Sequence, residues 1–452
     1  MSQPATPILA GRKGPLDRAL SVFTEVKAGE AVSALLLALN VFLLLGSYYV
    51  LKTVREPLIL TQGGAEVKSY AAAGQAALLL IVLPLYSGFA ARVNRIRLIT
   101  WVTLFFISHL AIFYALGIAG VHIGVAFFLW VGIFNGLIIA QFWAFANDVY
   151  NEDQGKRLFP IVGIGASLGA WLGAEAAESL FDFFDPAVAP YSMMLVAACG
   201  LGACIGISHL TNRREAARTV GRKDSTAEQA LSKEGGFKLI LSQRYLLLIA
   251  ILVFLLNTVN TTGEFILGKV VSTEAAAQTG GGPEMGAMIG RFYGDFFGWV
   301  NLLGFLFQLF LVSRIFKYIG VRGTLFILPC IALGSYSLLI ALPILSVIRV
   351  AKILENSTDY SINNTARRAL FLPTSREAKY KAQAVMETLV WRAGDMMQAL
   401  IVAAGTELFS FGVRQFGIVN LVLVCVWLVV VGLIYREHKK LTAETQQLQA
   451  AA

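Results

Sequence analysis

Apolar runs long enough to form membrane helices recur along nearly the whole chain, separated by short polar connections. They lie at about 31–51, 69–90, 98–118, 121–147, 158–180, 190–210, 245–270, 290–313, 319–341, 343–371, 385–408 and 415–435. A helix crossing a bilayer needs roughly 20 apolar residues, so the pattern predicts about twelve transmembrane helices. The single long polar stretch between runs, 211–244, divides them six and six. The fold class implied is an all-α polytopic membrane protein in two six-helix halves. Its expected parts are an N-terminal tail over 1–30, bundles over 31–210 and 245–435, a linker over 211–244 and a C-terminal tail over 436–452.

The composition agrees. Of 452 residues 57% are hydrophobic and 14% charged, against about 25% charged in a soluble domain. This excludes an ordinary soluble enzyme, a disordered chain and a nucleic-acid-binding arm. The net charge is +9, and most of the basic residues fall between the apolar runs. The even connections carry Arg92, Arg95 and Arg97; Lys156 and Arg157; the linker cluster from Arg213 to Lys238; Arg314, Lys317 and Arg322; and Arg376, Lys379 and Lys381. Basic connections stay cytoplasmic, so both termini and the linker are expected inside. The polar first thirty residues read as no cleavable signal peptide.

Little suggests chemistry on the protein itself. Cys199, Cys204, Cys330 and Cys425 sit in apolar runs without CxxC spacing, and the four histidines form no cluster. Neither a disulfide framework nor a metal site is indicated. No GxxxxGK[ST], GxSxG or HExxH is present, so the chain reads as a non-enzyme that needs no cofactor. The glycines of the fifth run only superficially resemble a dinucleotide fingerprint. Gly165, Gly169 and Gly173 repeat every four residues, the spacing of close helix packing.

Ionisable groups inside the apolar runs are costly and mark cavities or partners. In the tenth run Arg349, Lys352, Asn356, Asp359, Asn363 and Arg367 follow at steps of three or four, which places them on one helical face. Cavity lining is expected for the upper part of this stripe, and a solvated helix end for Arg367 and Arg368. In the seventh run Asn257, Asn260, Thr261 and Glu264 share a face. The amides alone would suit interhelical hydrogen bonding, but Glu264 needs water, a cation or a proton. The first run ends with Tyr48, Lys52 and Glu56 on one face and Arg55 beside them. Snorkelling to the interface and a binding role both fit these cations. Asp148 is expected as a helix cap, and Arg392 with Asp395 as a structural pair.

Polar faces thus fall on the first, seventh and tenth runs. In a six-plus-six transporter made of inverted three-helix repeats, the first helix of each repeat lines the central cavity. The pattern therefore reads as a secondary transporter with more cations than carboxylates on its path.

Three stretches also resemble the ADP/ATP translocases of plastids and intracellular bacteria. They are Tyr48 to Glu56 with Gly64-Ala65-Glu66; Phe142 to Asn147 through Lys156-Arg157-Leu158-Phe159-Pro160 to Gly165; and Asp359-Tyr360-Ser361 through Arg368 to Pro373 and Lys379 to Ala382. The resemblance implies a major-facilitator-like fold, ATP/ADP exchange and a bacterial inner (cell) membrane. Lys52, Arg55 and Glu56 match the family's basic, basic, acidic series, and Lys379 and Lys381 its later basic cluster. Arg55 stands where lysine is usual, and a family carboxylate falls on Gln154. The implied partners are an anionic small molecule, ATP or ADP, and the lipid bilayer, with no nucleic acid; the oligomeric state is left open, a monomer included. The expected substrate-binding residues are Tyr48, Lys52, Arg55, Glu56, Asn260, Glu264, Arg349, Lys352, Asn356 and Asp359. Two alternatives stay open. One is a proton-coupled carrier of another polar or anionic metabolite, with Glu56, Glu264 or Asp359 as proton site. The other is a membrane scaffold, against which stands the lack of any large extramembrane segment.

Overall fold

The computed structural model describes residues 14–21, 24–90, 92–150, 152–218, 236–375 and 378–451. Residues 1–13 of the N-terminal tail and 219–235 of the linker, with Arg222, Lys223 and Lys233, lie outside the described residues, as does Arg376. Among the described residues the fold is helical without strands.

A short α1 (Pro15–Leu20) precedes α2 (Ala31–Ala90), α3 (Arg95–Ile118), α4 (Gly124–Val149), α5 (Glu152–Phe183) and α6 (Ala189–Arg218). After the linker come α7 (Gly236–Ser242), α8 (Arg244–Thr279), α9 (Gly282–Leu306), α10 (Val312–Thr324), α11 (Ile327–Ala341), α12 (Leu345–Thr358), α13 (Asn364–Ala369), α14 (Gln383–Val385), α15 (Trp391–Ala403) and α16 (Val413–Ala451). Short π-helical turns join several of the later helices, among them Asp359–Asn363 between α12 and α13. Eight of the described helices are long and apolar enough to cross a membrane.

Two helices break at glycine. In α2, Gly64 takes φ 76°, and in α10 Gly320 takes φ 68°, a left-handed backbone that disfavours a side chain. The break in α2 reverses the chain. Lys68 Nζ lies 2.5 Å from Glu56 Oε2, although twelve residues of straight helix would separate them by about 18 Å. So α2 supplies the first two predicted spans. The first of them runs on to Gly63, which puts Lys52, Arg55 and Glu56 inside a helix and not at its end.

The fifth span packs on the first through its glycine repeat. A Cβ at Gly165 or Gly169 would stand 2.4 Å from Ala38 O or 2.3 Å from Phe42 O, and one at Gly173 would meet Gly46 Cα at 2.6 Å. Only glycine admits backbones this close. A second stripe, Gly290, Gly294 and Gly298 of α9, meets α5 in the same way, against Phe181, Glu178 and Glu175. It joins a hydrophobic core centred on α2–α6 to another centred on α8–α16. Lys269 Nζ to Glu66 Oε1 at 2.8 Å and Arg291 Nη1 to Asp182 Oδ1 at 3.3 Å tie the same seam. All of these lie towards the end of the molecule that carries Gly64. The opposite, basic end carries Arg95, Arg157, Arg244 and Arg368.

Candidate functional site

Where the two cores meet, a cavity of about 190 Å³ opens among α2, α4, α8, α9, α12 and α15. Of the ten residues expected to bind substrate, Lys52, Arg55, Glu56, Asn260, Glu264 and Asn356 line it. Residues far apart in the chain reach it because α2 and α8 present their polar faces to each other across the seam.

The α2 wall is cationic. Glu56 is buried, 1% exposed, and its two oxygens are held by different cations: Arg55 Nη2 at 2.5 Å on Oε1 and Lys68 Nζ at 2.5 Å on Oε2. Lys52 has no acidic partner among the described residues. Its Nζ stands 4.0 Å from the Phe297 ring centroid and 5.0 Å from that of Tyr49. Arg55 Cζ lies 4.5 Å from the Phe128 centroid. Aromatic faces stabilise desolvated cations without neutralising them. Three cations therefore surround one carboxylate, and the excess charge faces the cavity. Pro57 comes next within the same helix and cannot donate to the Thr53 carbonyl. Such breaks are tolerated in membrane helices that line cavities.

The wall from α8 and α12 is built differently. Lys352 is 2% exposed and sits behind the lining. Its Nζ donates to Asn260 Oδ1 at 2.8 Å and Glu355 Oε2 at 3.2 Å, and stands 3.7 Å from Glu264 Oε1. Two carboxylates thus share one lysine. Asn356 Nδ2 donates to Glu264 at 2.9 Å, and Tyr336 Oη reaches Glu355 at 3.3 Å.

Three expected residues lie elsewhere. Tyr48 stacks on Phe134, with ring centroids 6.4 Å apart, in the α2–α6 core. Arg349 pairs with Asp295 of α9 nearer the Gly64 end. Asp359 accepts from Asn363 Nδ2 at 2.7 Å and faces Leu256, Leu328 and Trp427 within the second core. Asp359 is the first residue of the π-helical turn Asp359–Asn363. Of this helix, Asn356 and Tyr360 line the cavity.

Several lining residues escaped the sequence reading. Lys68 precedes the apolar run to which it belongs. Phe128, Phe265 and Phe297 are indistinguishable from packing residues within apolar helices. Ser69 Oγ accepts from Gln398 Nε2 at 2.9 Å, a bond between the two halves that no periodicity signals. The side chain of Lys379, which the resemblance would place in a basic cluster, is outside the described residues. Asp148, expected as a helix cap, instead pairs with Arg95 at 2.7 Å, while Arg392 pairs with Asp395 at 3.1 Å as expected. Among the described residues no cluster of His, Cys, Asp and Glu is arranged to hold a metal ion.

A family model described as TLC ATP/ADP transporter matches residues 125–266. The match takes in the second of the three resembling stretches and bears out that resemblance. ADP,ATP carrier protein 1 of Chlamydia muridarum is 24% identical over 324 residues, covering 62% of this chain and 58% of the carrier. ADP,ATP carrier protein 3 of Rickettsia bellii is 22% identical over 358 residues, 69% of each chain. The chain therefore spans well under two thirds of the chlamydial relative's length. Among solved structures, a bacterial homologue of the human lysosomal transporter Spinster, inward-facing and unoccupied, superposes with TM-score 0.63 at 15% identity, covering 91% of this chain and 98% of that one. The nucleoside transporter NupG gives TM-score 0.58 at 14% identity, covering 90% and 99%. These likenesses are of fold: an all-α, polytopic membrane protein built like known transporters, which are not enzymes.

Proposed function

We infer that this protein is a secondary transporter of nucleotides that exchanges ATP and ADP by alternating access. The observation that carries this reading is the cluster of Lys52, Arg55 and Lys68 around a single carboxylate, beside aromatic faces, in a cavity walled by both halves. A nucleotide brings several negative charges and an aromatic base. Lys52 and Arg55 take up the charge through charge-assisted bonds, and Phe128, Phe297 and Tyr360 offer rings to the base. The seam of glycines and ion pairs seals the Gly64 end, so alternating access consists of opening that seam while the basic end closes. Two six-helix halves are the bodies that move. The basic end with both termini is cytoplasmic, in a bacterial inner membrane.

Counterflow tests this directly. ATP loaded into proteoliposomes drives entry of labelled ADP if the protein exchanges nucleotides. Entry that ignores the internal nucleotide sinks the reading.

One observation favours a second reading, proton-coupled carriage of another anion. Lys352 serves two carboxylates, Glu264 and Glu355, and one of them faces the cavity, where it can hold a proton.

A further inference from the structure

A second cavity, of about 170 Å³, lies nearer the basic end. Val253 of α8, Asn364, Arg367 and Arg368 of α13, and Trp391 of α15 are in its wall. The central cavity uses the same run of helices. Val253 precedes Asn260 by seven residues, and Trp391 precedes Gln398 by seven. Seven residues are about two helical turns, or roughly 10 Å, and return to the same face. On the third helix Asn364 and Arg367 line the lower cavity, and Asn356 and Tyr360 the central one. The two cavities are therefore stacked along one wall of the second core. Arg367 is half-buried in the wall of the lower one, while Arg368 is exposed, as a solvated helix end would be.

The lower cavity is short of negative charge. Arg367 stands over Trp391, with its Cζ 5.0 Å from the ring centroid. Its Nε is buried with no hydrogen-bond partner. Neither Arg367 nor Arg368 has an acidic partner among the described residues, and the lining carboxylate, Glu387, is engaged by Gln383 Nε2 at 2.7 Å. A buried donor without an acceptor is costly. An arginine stacked on a ring keeps its edge donors in one plane, ready for the oxygens of a phosphate. The central cavity alone falls below the roughly 300–1,000 Å³ of ordinary ligand sites, so space along this path is divided between two compartments.

We propose that Arg367, Arg368 and Trp391 form a second anion site, which takes the phosphate chain of a nucleotide between the basic end and the central cavity. The anion chemistry rests on the arginines; that the anion is a transported nucleotide rests on the exchange reading above.

Inorganic pyrophosphate, titrated into the full-length protein in detergent, probes the site whatever the protein transports. Intrinsic fluorescence should change saturably in the parent and not in Trp391→Phe. Arg367→Gln should weaken the response about tenfold, and Arg367→Lys should weaken it less. No change in the parent, or the same change in Trp391→Phe and Arg367→Gln, overturns the site. In proteoliposomes of known orientation, Arg367→Gln should raise the half-saturating ADP concentration about fivefold at the basic face and leave the opposite face unaltered. An equal rise at both faces overturns its place on the path. A parent that exchanges no nucleotide refutes the exchange reading, while the pyrophosphate titration still decides the site.

Discussion

The two walls of the central cavity hold similar numbers of charges and use them in opposite ways. On the α2 wall Glu56 is the buried group, and Arg55, Lys68 and Lys52 stand around it with positive charge to spare. On the α8–α12 wall Lys352 is the buried group, and Glu264 and Glu355 share it. One wall is short of anions and the other short of cations. An anionic ligand is drawn to the first, while the second offers amides, a carboxylate and a place for a proton. Side chains on the first wall should therefore be read out in affinity, and the buried lysine of the second in stability.

The largest expected effect breaks the second wall. Lys352→Ala leaves Glu355 and Glu264 without their cation, and breaking a buried pair on one side costs about 3–5 kcal/mol. The thermal unfolding midpoint in detergent should drop markedly, and adding Glu355→Gln should recover part of the loss. A midpoint equal to the parent's would show that the lysine is not structural. Next in size, Glu264→Gln should remove any component of uptake driven by a pH gradient and leave nucleotide exchange running. A parent whose uptake never responds to a pH gradient excludes a coupling role for Glu264.

A smaller effect lies outside the cavity, at the basic end. Arg157 binds both oxygens of Glu30, at 2.9 and 3.1 Å. Burial pushes the Glu30 carboxyl up, but Arg157, the Lys27 amide and Gln154 outweigh it and hold the carboxyl below its ordinary value of 4.5. The bond contributes stability that is complete above pH 4.5 and is lost as the pH falls through the lowered value. Unfolding of Glu30→Gln followed over this acid range should show a shallower fall than the parent, and parallel curves would contradict the assignment.

Much of this architecture is legible in the residue pattern. Apolar length predicted most of the spans, because each must clear the bilayer, but the ninth run forms only a shorter apolar helix and the tenth and eleventh are not among the eight described helices long and apolar enough to cross. The four-residue glycine repeat predicted the α5 contact, because a step of four keeps the small residues on one face. The polar face of α8 and the Lys52–Glu56 group were equally readable from helical period. The period failed at Asp359, which opens a π-helical turn that no composition announces, and beyond Asn356 it is Tyr360 that lines the cavity. It failed again at Lys68, which reaches Glu56 only because the chain reverses at Gly64. The rings of Phe128 and Phe297 gave no signal, since an apolar residue in an apolar helix carries no information about which side is wet.

The central claim is that the α2 wall binds the anion, with Lys52 as its unpaired cation. Equilibrium binding of ADP to purified parent, Lys52→Ala, Arg55→Ala and Arg55→Lys tests it most directly. Lys52 has no carboxylate to abandon, so its removal should leave folding intact and cost affinity alone. A charge-assisted bond lost from a desolvated site is worth about 2–5 kcal/mol, so Lys52→Ala should bind at least about tenfold more weakly, tenfold being about 1.4 kcal/mol. Arg55→Lys should fall between the parent and Arg55→Ala, because charge survives and only the fork is lost. Parent-like affinity in well-folded Lys52→Ala and Arg55→Ala would contradict the claim.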